Sequence, residues 1–133
     1  MLTNHKIVAL IPITDADKAK SFYVDKLGLK FLMDDGFAIV LDAHGNTLRL
    51  TKMKEVKPQQ FTVLGWETHD IAADIRGLQA NGVTFESFHD FMKQDELGVW
   101  TAPDGTKVAW FKDPDGNILS LSQHTKAATA TSS

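Results

Sequence analysis

The sequence predicts an α+β fold in which one β-α-β-β-β module occurs twice. Two nearly identical stretches carry this prediction, Asp42 to Asn46 and Asp113 to Asn117, each a tight-turn sequence that runs straight into an alternating strand. A second observation is that Asp15 and Asp70 each begin a segment of helical periodicity directly after a predicted strand. Helix starts and turns occur in the same order in both halves, which indicates a duplication.

Module one, predicted over residues 5–53, begins with a largely buried strand. Pro12 near the end of that strand removes a ladder hydrogen bond, which indicates an edge or a bulge. Thr14 or Asp15 caps the following helix, and Gly28 ends it after the last apolar position. The predicted strands of this module are Ile7–Ile13, Leu29–Met33, Phe37–Leu41 and Thr47–Thr51.

Module two, predicted over residues 60–124, repeats this plan. A helix starts at His69-Asp70, buries a stripe that contains Ile71 and Ile75, and stops at Gly82. The predicted strands are Phe61–Thr68, Leu97–Thr101, Lys107–Lys112 and Ile118–Ser122, and Val83–Ser87 could be a further strand. We therefore expect residues 1–125 to form a single domain and residues 126–133 to form a flexible, low-complexity tail.

Length, charge and cysteine content exclude several classes of function. A chain of 133 residues can bury a core without metal or disulfide support. Its formal net charge of −3 offers no basic field to nucleic acid or to an anionic membrane. The lack of cysteine excludes a thiol nucleophile and a Cys-ligated metal. Without a signal peptide or a membrane-length apolar run, the predicted location is the cytoplasm.

Several short motifs make the chain similar to the vicinal oxygen chelate superfamily, which includes glyoxalase I, extradiol dioxygenases and bleomycin resistance proteins. These motifs are Phe22-Tyr23 and Leu27-Gly28-Leu29 near the end of the first helix, and Phe111 to Asn117 before the last strand. The resemblance covers roughly residues 5 to 123. It implies curved mixed sheets that enclose a cavity, usually completed by formation of a homodimer. It does not imply one particular reaction, because this fold hosts many.

The ligand positions that the resemblance implies carry no metal-binding side chains. Metal-dependent members hold one divalent ion through the first and last strands of each module, and these positions are Val8, Arg49, Val63 and Ser120 here. Valine cannot ligate a metal, arginine repels a cation, and serine alone is a poor ligand. We therefore predict no metal and no cofactor. We interpret the histidines as solvated or capping residues: His5, His44, His69, His89 and His124.

If those four positions face the cavity, their alternating neighbours line it as well. Arg49 is suggestive because a guanidinium can hold a carboxylate or phosphate through two hydrogen bonds. The favoured alternative is that Arg49 pairs with Glu67 or reaches solvent. Glu67 is a weak candidate for a general base, although its role as the partner of Arg49 is favoured. The last strand adds Ser120 and Ser122 to the candidate ligand-binding residues.

Aromatic residues complete the candidate site. Trp66 has the parity of the core, whereas Trp100 and Trp110 flank a hairpin, and alternation allows either to face the cavity. Core packing is the favoured interpretation for both, but a tryptophan in the groove suits a protein that grips planar molecules. The irregular connection from Phe88 to Glu96 exposes enough apolar surface that it must cover a cavity mouth or a dimer partner.

Three hypotheses for function follow. The first is a metal-free protein that binds a small anionic or aromatic molecule, as bleomycin resistance proteins do, and it is favoured because the scaffold is kept while the ligand set is lost. The alternative is a lyase, isomerase or dioxygenase of the same superfamily that uses non-standard metal ligands or acid–base chemistry at Glu67. The third is a protein whose dimer surface is its function.

Overall fold

The computed structural model describes residues 1–88 and 90–125. The chain divides into two compact units, of which the first comprises Met1–Pro58 and Asp113–Asn117, and the second comprises Gln59–Lys112 and the chain from Ile118 onward. His89 and the predicted tail, residues 126–133, lie outside the described residues. The prediction of a single domain over residues 1–125 stays a prediction.

The first unit contains a four-stranded mixed sheet in the order β1-β4-β3-β2. Its strands are β1 (Val8–Ile13), β2 (Lys30–Asp34), β3 (Ala38–Ala43) and β4 (Asn46–Lys52). β1 runs parallel to β4, and the other two pairs are antiparallel. β1 lies at an edge of the sheet, where Pro12 interrupts no inner ladder, as the sequence predicted.

One face of this sheet is buried under the helix. The helix begins as α1 (Ala16–Lys20), with the Asp15 side chain accepting a hydrogen bond from the Lys18 amide, and continues as a π-helix over Ser21–Lys26. The sequence predicted one regular helix, so the wider π segment is a difference. The Lys20 ammonium lies 3.9 Å from the Phe31 ring centre, which places the helix over this face. The buried strand residues on it are Ile11, Ile13, Ile39, Leu41, Leu48 and Leu50.

The second unit contains another four-stranded mixed sheet, in the order β5-β8-β7-β6. Its strands are β5 (Thr62–Glu67), β6 (Trp100–Thr101), β7 (Lys107–Lys112) and β8 (Ile118–Gln123), and its helix is α2 (Ile71–Ala80). Asp70 caps α2 by accepting from the Ala73 amide. Trp66 stacks on buried Phe111 with ring centres 6.2 Å apart, so it lies on the buried face of the sheet, as its parity predicted, but its side chain is only half-buried.

In module two, the possible strand Val83–Ser87 does not form, and the predicted strand Leu97–Thr101 is too long. The segment Val83–Ser87 makes only an isolated bridge between Phe85 and Phe111, although its alternation resembles that of a strand. The predicted strand Leu97–Thr101 is reduced to its last two residues. The reason is a turn in which the Asp95 carboxylate accepts from the Leu97 and Val99 amides.

The two similar turn stretches have different structural roles. Within the first unit, buried Asp113 accepts from the Tyr23 hydroxyl at 2.8 Å and from the Asn117 side-chain amide at 2.9 Å. Its other oxygen accepts from the Asp115 and Asn117 backbone amides. Burial, and secondarily the Asp113 charge, raise the pKa of Tyr23 far above its ordinary value. The stretch Asp42 to Asn46 instead forms a two-residue hairpin turn, with positive φ at His44 and Gly45.

Candidate functional site

Each sheet has an open face, defined as the face opposite its helix. On the open face of the first sheet, Arg49 lies between Leu10 of β1 and Val40 of β3, and Met33 of β2 completes the row. Leu10 is 64% exposed, and Val8, one of the four implied ligand positions, is 49% exposed. The open face of the first sheet is therefore mostly aliphatic, with one guanidinium at its centre.

The Arg49 guanidinium is held by a carboxylate of its own module. Its Nη2 donates to Asp35 Oδ2 at 2.8 Å. This hydrogen bond, followed by those from the Phe37 and Ala38 amides, lowers the pKa of Asp35 to about 2. The sequence analysis favoured Glu67 as the partner. The partner is Asp35 instead, because the β2–β3 turn brings Asp35 beside Ala38. Ala38 is two residues from Val40, which pairs with Arg49.

The remaining candidate residues share the open face of the second sheet. One row across the strands contains Gly65, Ser120 and Trp110. Ser120 is buried, and its Oγ lies 2.6 Å from the point that a Cβ on residue 65 would occupy, so a larger residue at position 65 would have to displace this hydroxyl. The next row contains Glu67, Ser122, Val108 and Trp100. Glu67 ends β5 and is exposed.

A cavity of about 400 Å³ opens on this face, a volume typical of small-molecule sites. Trp110 forms one wall, and its indole Nε1 donates to Thr62 Oγ1 at 3.0 Å. Phe88 meets the Trp110 ring edge-on with centres 5.7 Å apart, and Trp100 lies 6.4 Å from the same ring. The lining residues are Gln60, Phe61, Thr62, Phe88, Phe91, Met92, Trp110, Lys112 and Ile118.

The connection between α2 and β6 supplies an aromatic wall of the cavity, formed by Phe88 and Phe91. The Gln94 side chain holds this connection through hydrogen bonds to its backbone. Its side-chain oxygen accepts from the Phe88 amide, and its Nε2 donates to the Gly98 carbonyl at 2.7 Å. Phe88, Phe91 and Met92 lie in the apolar connection that the sequence predicted to cover a cavity mouth or a dimer partner, and all three line the cavity. Sequence reasoning missed Gln94, whose only signal was a neutral amide among the charged residues Lys93, Asp95 and Glu96.

Sequence reasoning also missed Thr62. The register of β5 against β8 shifts between Thr62 and Leu64, so Val63 has no partner on β8 and Thr62 lies opposite Ile118. The hydrogen bond from Trp110 shows that the Thr62 side chain lies on the open face. Strict alternation assigned Val63 to that face, and a bulge is a local irregularity that alternation cannot reveal.

The implied metal positions do not fit a metal. Within residues 1–88 and 90–125, no group of three His, Cys, Asp or Glu side chains is arranged to hold an ion. Val8 and Val63 offer no donor atom, and Arg49 is committed to Asp35.

No described helix is long and apolar enough to cross a bilayer.

Two mixed sheets, each backed by a helix after its first strand, define the class as a two-module α+β fold. The chain belongs to the Glyoxalase/Bleomycin resistance protein/Dioxygenase superfamily, which it matches over residues 5–121. Both the predicted fold class and the predicted family are confirmed. No relative was found among proteins with curated functions.

Solved structures of the superfamily resemble this chain over nearly its whole length. A member from Sphaerobacter thermophilus DSM 20745 has a TM-score of 0.72 and 25% identity, and covers 93% of this chain and 100% of its own. TnmS3, an antibiotic-binding protein from Streptomyces sp. CB03234, has a TM-score of 0.68 and 28% identity over 94% of this chain and 99% of its own. A lactoylglutathione lyase from Agrobacterium tumefaciens shares the fold at 15% identity, with a TM-score of 0.69 over 92% and 96%.

Proposed function

We propose that this protein binds a small molecule with a flat aromatic body in the cavity on the open face of the second sheet. Binding does not use a metal at Val8, Arg49, Val63 and Ser120, because those side chains supply no ligand set. Catalysis is not part of the proposal.

The observation that carries the proposal is the aromatic lining of the cavity. Trp110 is fixed on one side by its hydrogen bond to Thr62 and on the other by the edge of Phe88. A preformed aromatic wall stacks on planar ligands without first losing side-chain freedom, which favours affinity. Phe91 is 85% exposed and Phe61 is 60% exposed, although both line the cavity, so a ligand there would cover apolar surface that now meets water.

The comparison with TnmS3 supports the same proposal. TnmS3 is an antibiotic-binding protein, and its structure aligns with 94% of this chain. Antibiotic binding is therefore found in a solved structure of similar fold that shares 28% sequence identity with this chain.

The test is a fluorescence titration with the neutral dye N-phenyl-1-naphthylamine. We expect saturable binding of one dye per chain, weakened at least about tenfold by Trp110→Ala because the variant removes a stacking surface. Leu10→Ala is the matched control, since it removes apolar surface from the open face of the other sheet. Circular dichroism confirms that both variants fold. Equal affinity in the wild type and in Trp110→Ala would contradict the proposal.

A further inference from the structure

We propose that the cavity selects aromatic molecules that carry an anionic group, and that Lys112 is the residue that binds this group. The inference rests on the proposed function, since it names the class of ligand for the same cavity. It comes from the positions and hydrogen-bonding capacities of the polar groups in the lining.

The polar lining groups are donors or neutral. Lys112 lies opposite Ile118, which in turn lies opposite Thr62, so the ammonium and the hydroxyl mark the two ends of one row across three strands. The Thr62 oxygen already accepts from Trp110, which leaves the hydroxyl hydrogen to donate. Gln60 is the third polar member, and the described lining contains no carboxylate. A ligand with acceptor atoms and negative charge matches this set.

The present partner of Lys112 is easily exchanged. Its Nζ lies 3.5 Å from Glu86 Oε1, with the two side chains 45% and 29% exposed. A partly exposed ion pair of that length contributes little to stability, because solvent screens it and two long side chains must be ordered. An anion in the cavity can therefore replace Glu86 as the partner of the Lys112 ammonium. The apolar side chains that line the cavity would strengthen this ion pair.

The spacing between ring and charge follows from the strand. Lys112 is two residues from Trp110 on the same face of β7, a separation of roughly 7 Å along a strand. A ring stacked on Trp110 therefore places a directly attached carboxylate, sulfonate or phenolate within reach of the flexible Lys112 side chain. Larger molecules qualify if they carry such an aromatic anion.

Two dyes that differ by one sulfonate test this inference. 8-Anilinonaphthalene-1-sulfonate and the neutral N-phenyl-1-naphthylamine share the same two ring systems. We expect the wild type to bind the sulfonate more tightly, and Lys112→Gln to weaken the sulfonate about tenfold, as expected for a charge-assisted hydrogen bond. The same variant should leave the neutral dye within about twofold, since it retains the stacking surface.

Lys107→Gln is the matched control. Lys107 is an exposed lysine on β7 that does not line the cavity. Alternation along the strand places it on the face opposite to Lys112. Its replacement by glutamine removes the same charge from the protein. We expect it to change neither affinity, whereas Glu86→Gln should strengthen sulfonate binding by releasing Lys112 from its pair.

The outcomes separate this inference from the proposed function. If Trp110→Ala weakens the neutral dye while Lys112→Gln has no selective effect on the sulfonate, the cavity binds aromatic molecules and the anion preference is wrong. An equal effect of Lys107→Gln and Lys112→Gln also overturns it, because the effect would then come from net charge. If neither dye depends on Trp110, the proposed function fails first.

Discussion

The two open faces show how one topology can present different surfaces. Both sheets have the order first, last, third and second strand of their module, with a helix after the first strand. The first sheet places Arg49 at the centre of its open face, tied to Asp35 among aliphatic side chains. The second places Ser120 at the equivalent position of its last strand, and the neighbouring Trp110 of β7 forms a wall of the 400 Å³ cavity.

The difference lies in the connection as well as in the strands. In the first module the helix returns to the sheet within a few residues, from Lys26 to Lys30. In the second module, residues 81–99 separate α2 from β6, and this longer segment brings Phe88, Phe91 and Met92 to the open face. The longer connection of the second module is thus the element that adds aromatic side chains to its open face.

The largest expected effect concerns the two similar turns. Asp113→Ala should lower the free energy of unfolding by about 3 kcal/mol, because it leaves Tyr23, Asn117 and two backbone amides without their buried acceptor. Asp42→Ala is the matched control and should cost less than about 1 kcal/mol, since Asp42 is only half-buried. Urea denaturation measures both. Similar losses in the two variants would mean that the turns share one role.

The next effect is the pH dependence that Tyr23 contributes. Because its pKa is raised in the folded protein, its stabilisation is complete below the ordinary value of 10.0 and is lost as the pH rises beyond it. Tyr23→Phe should cost about 1 to 2 kcal/mol near neutral pH and flatten the decline in stability above pH 10. Chemical denaturation at neutral and alkaline pH tests both. An equally steep alkaline decline in the variant contradicts the assignment.

A smaller effect is expected from the loop that lines the cavity. Gln94→Ala removes the hydrogen bonds to Phe88 and Gly98, which hold the connection that carries Phe88 and Phe91. The variant keeps all aromatic side chains of the cavity. We expect the affinity for N-phenyl-1-naphthylamine to fall about threefold to fivefold, with little change in unfolding temperature. Gln79→Ala, at an exposed position of α2, is the control. Unchanged binding would show that the loop holds its position without Gln94.

The smallest effect on binding is expected at Arg49. Arg49→Ala should leave the affinity for both dyes within about twofold, because the guanidinium is committed to Asp35. NMR titration should show the pKa of Asp35 rise from about 2, remaining below 3.8 because the Phe37 and Ala38 amides still donate. The contribution of Asp35 to stability is then lost at a higher pH as the solution is acidified. Weaker sulfonate binding in this variant would restore Arg49 as a ligand contact.

Local patterns predicted most of the fold. The hairpin at His44 and Gly45, the strand Lys107–Lys112 and the capping residues Asp15 and Asp70 all followed from turn chemistry and alternation. The segment Val83–Ser87 was misjudged because apolar alternation marks burial, whereas a strand also requires a partner with free ladder groups.

The candidate site was less predictable for a physical reason. Whether Trp110 faced the core or the open face depended on register, which the pairing of Trp110 with Ser120 decides. The partner of Arg49 depended on where the β2–β3 turn carries Asp35. Such information belongs to contacts between segments, and no single segment of the sequence contains it.

The bulge in β5 has a consequence for how such chains can change length. Thr62 lies opposite Ile118, and pairing resumes at Leu64 opposite Leu119. A chain without Val63 would keep both of these pairs and simply straighten the strand, so one codon can be gained or lost here while the indole of Trp110 retains its acceptor. In this chain, counting residues along β5 therefore gives Val63, whereas the strand pairing places Thr62 opposite Ile118.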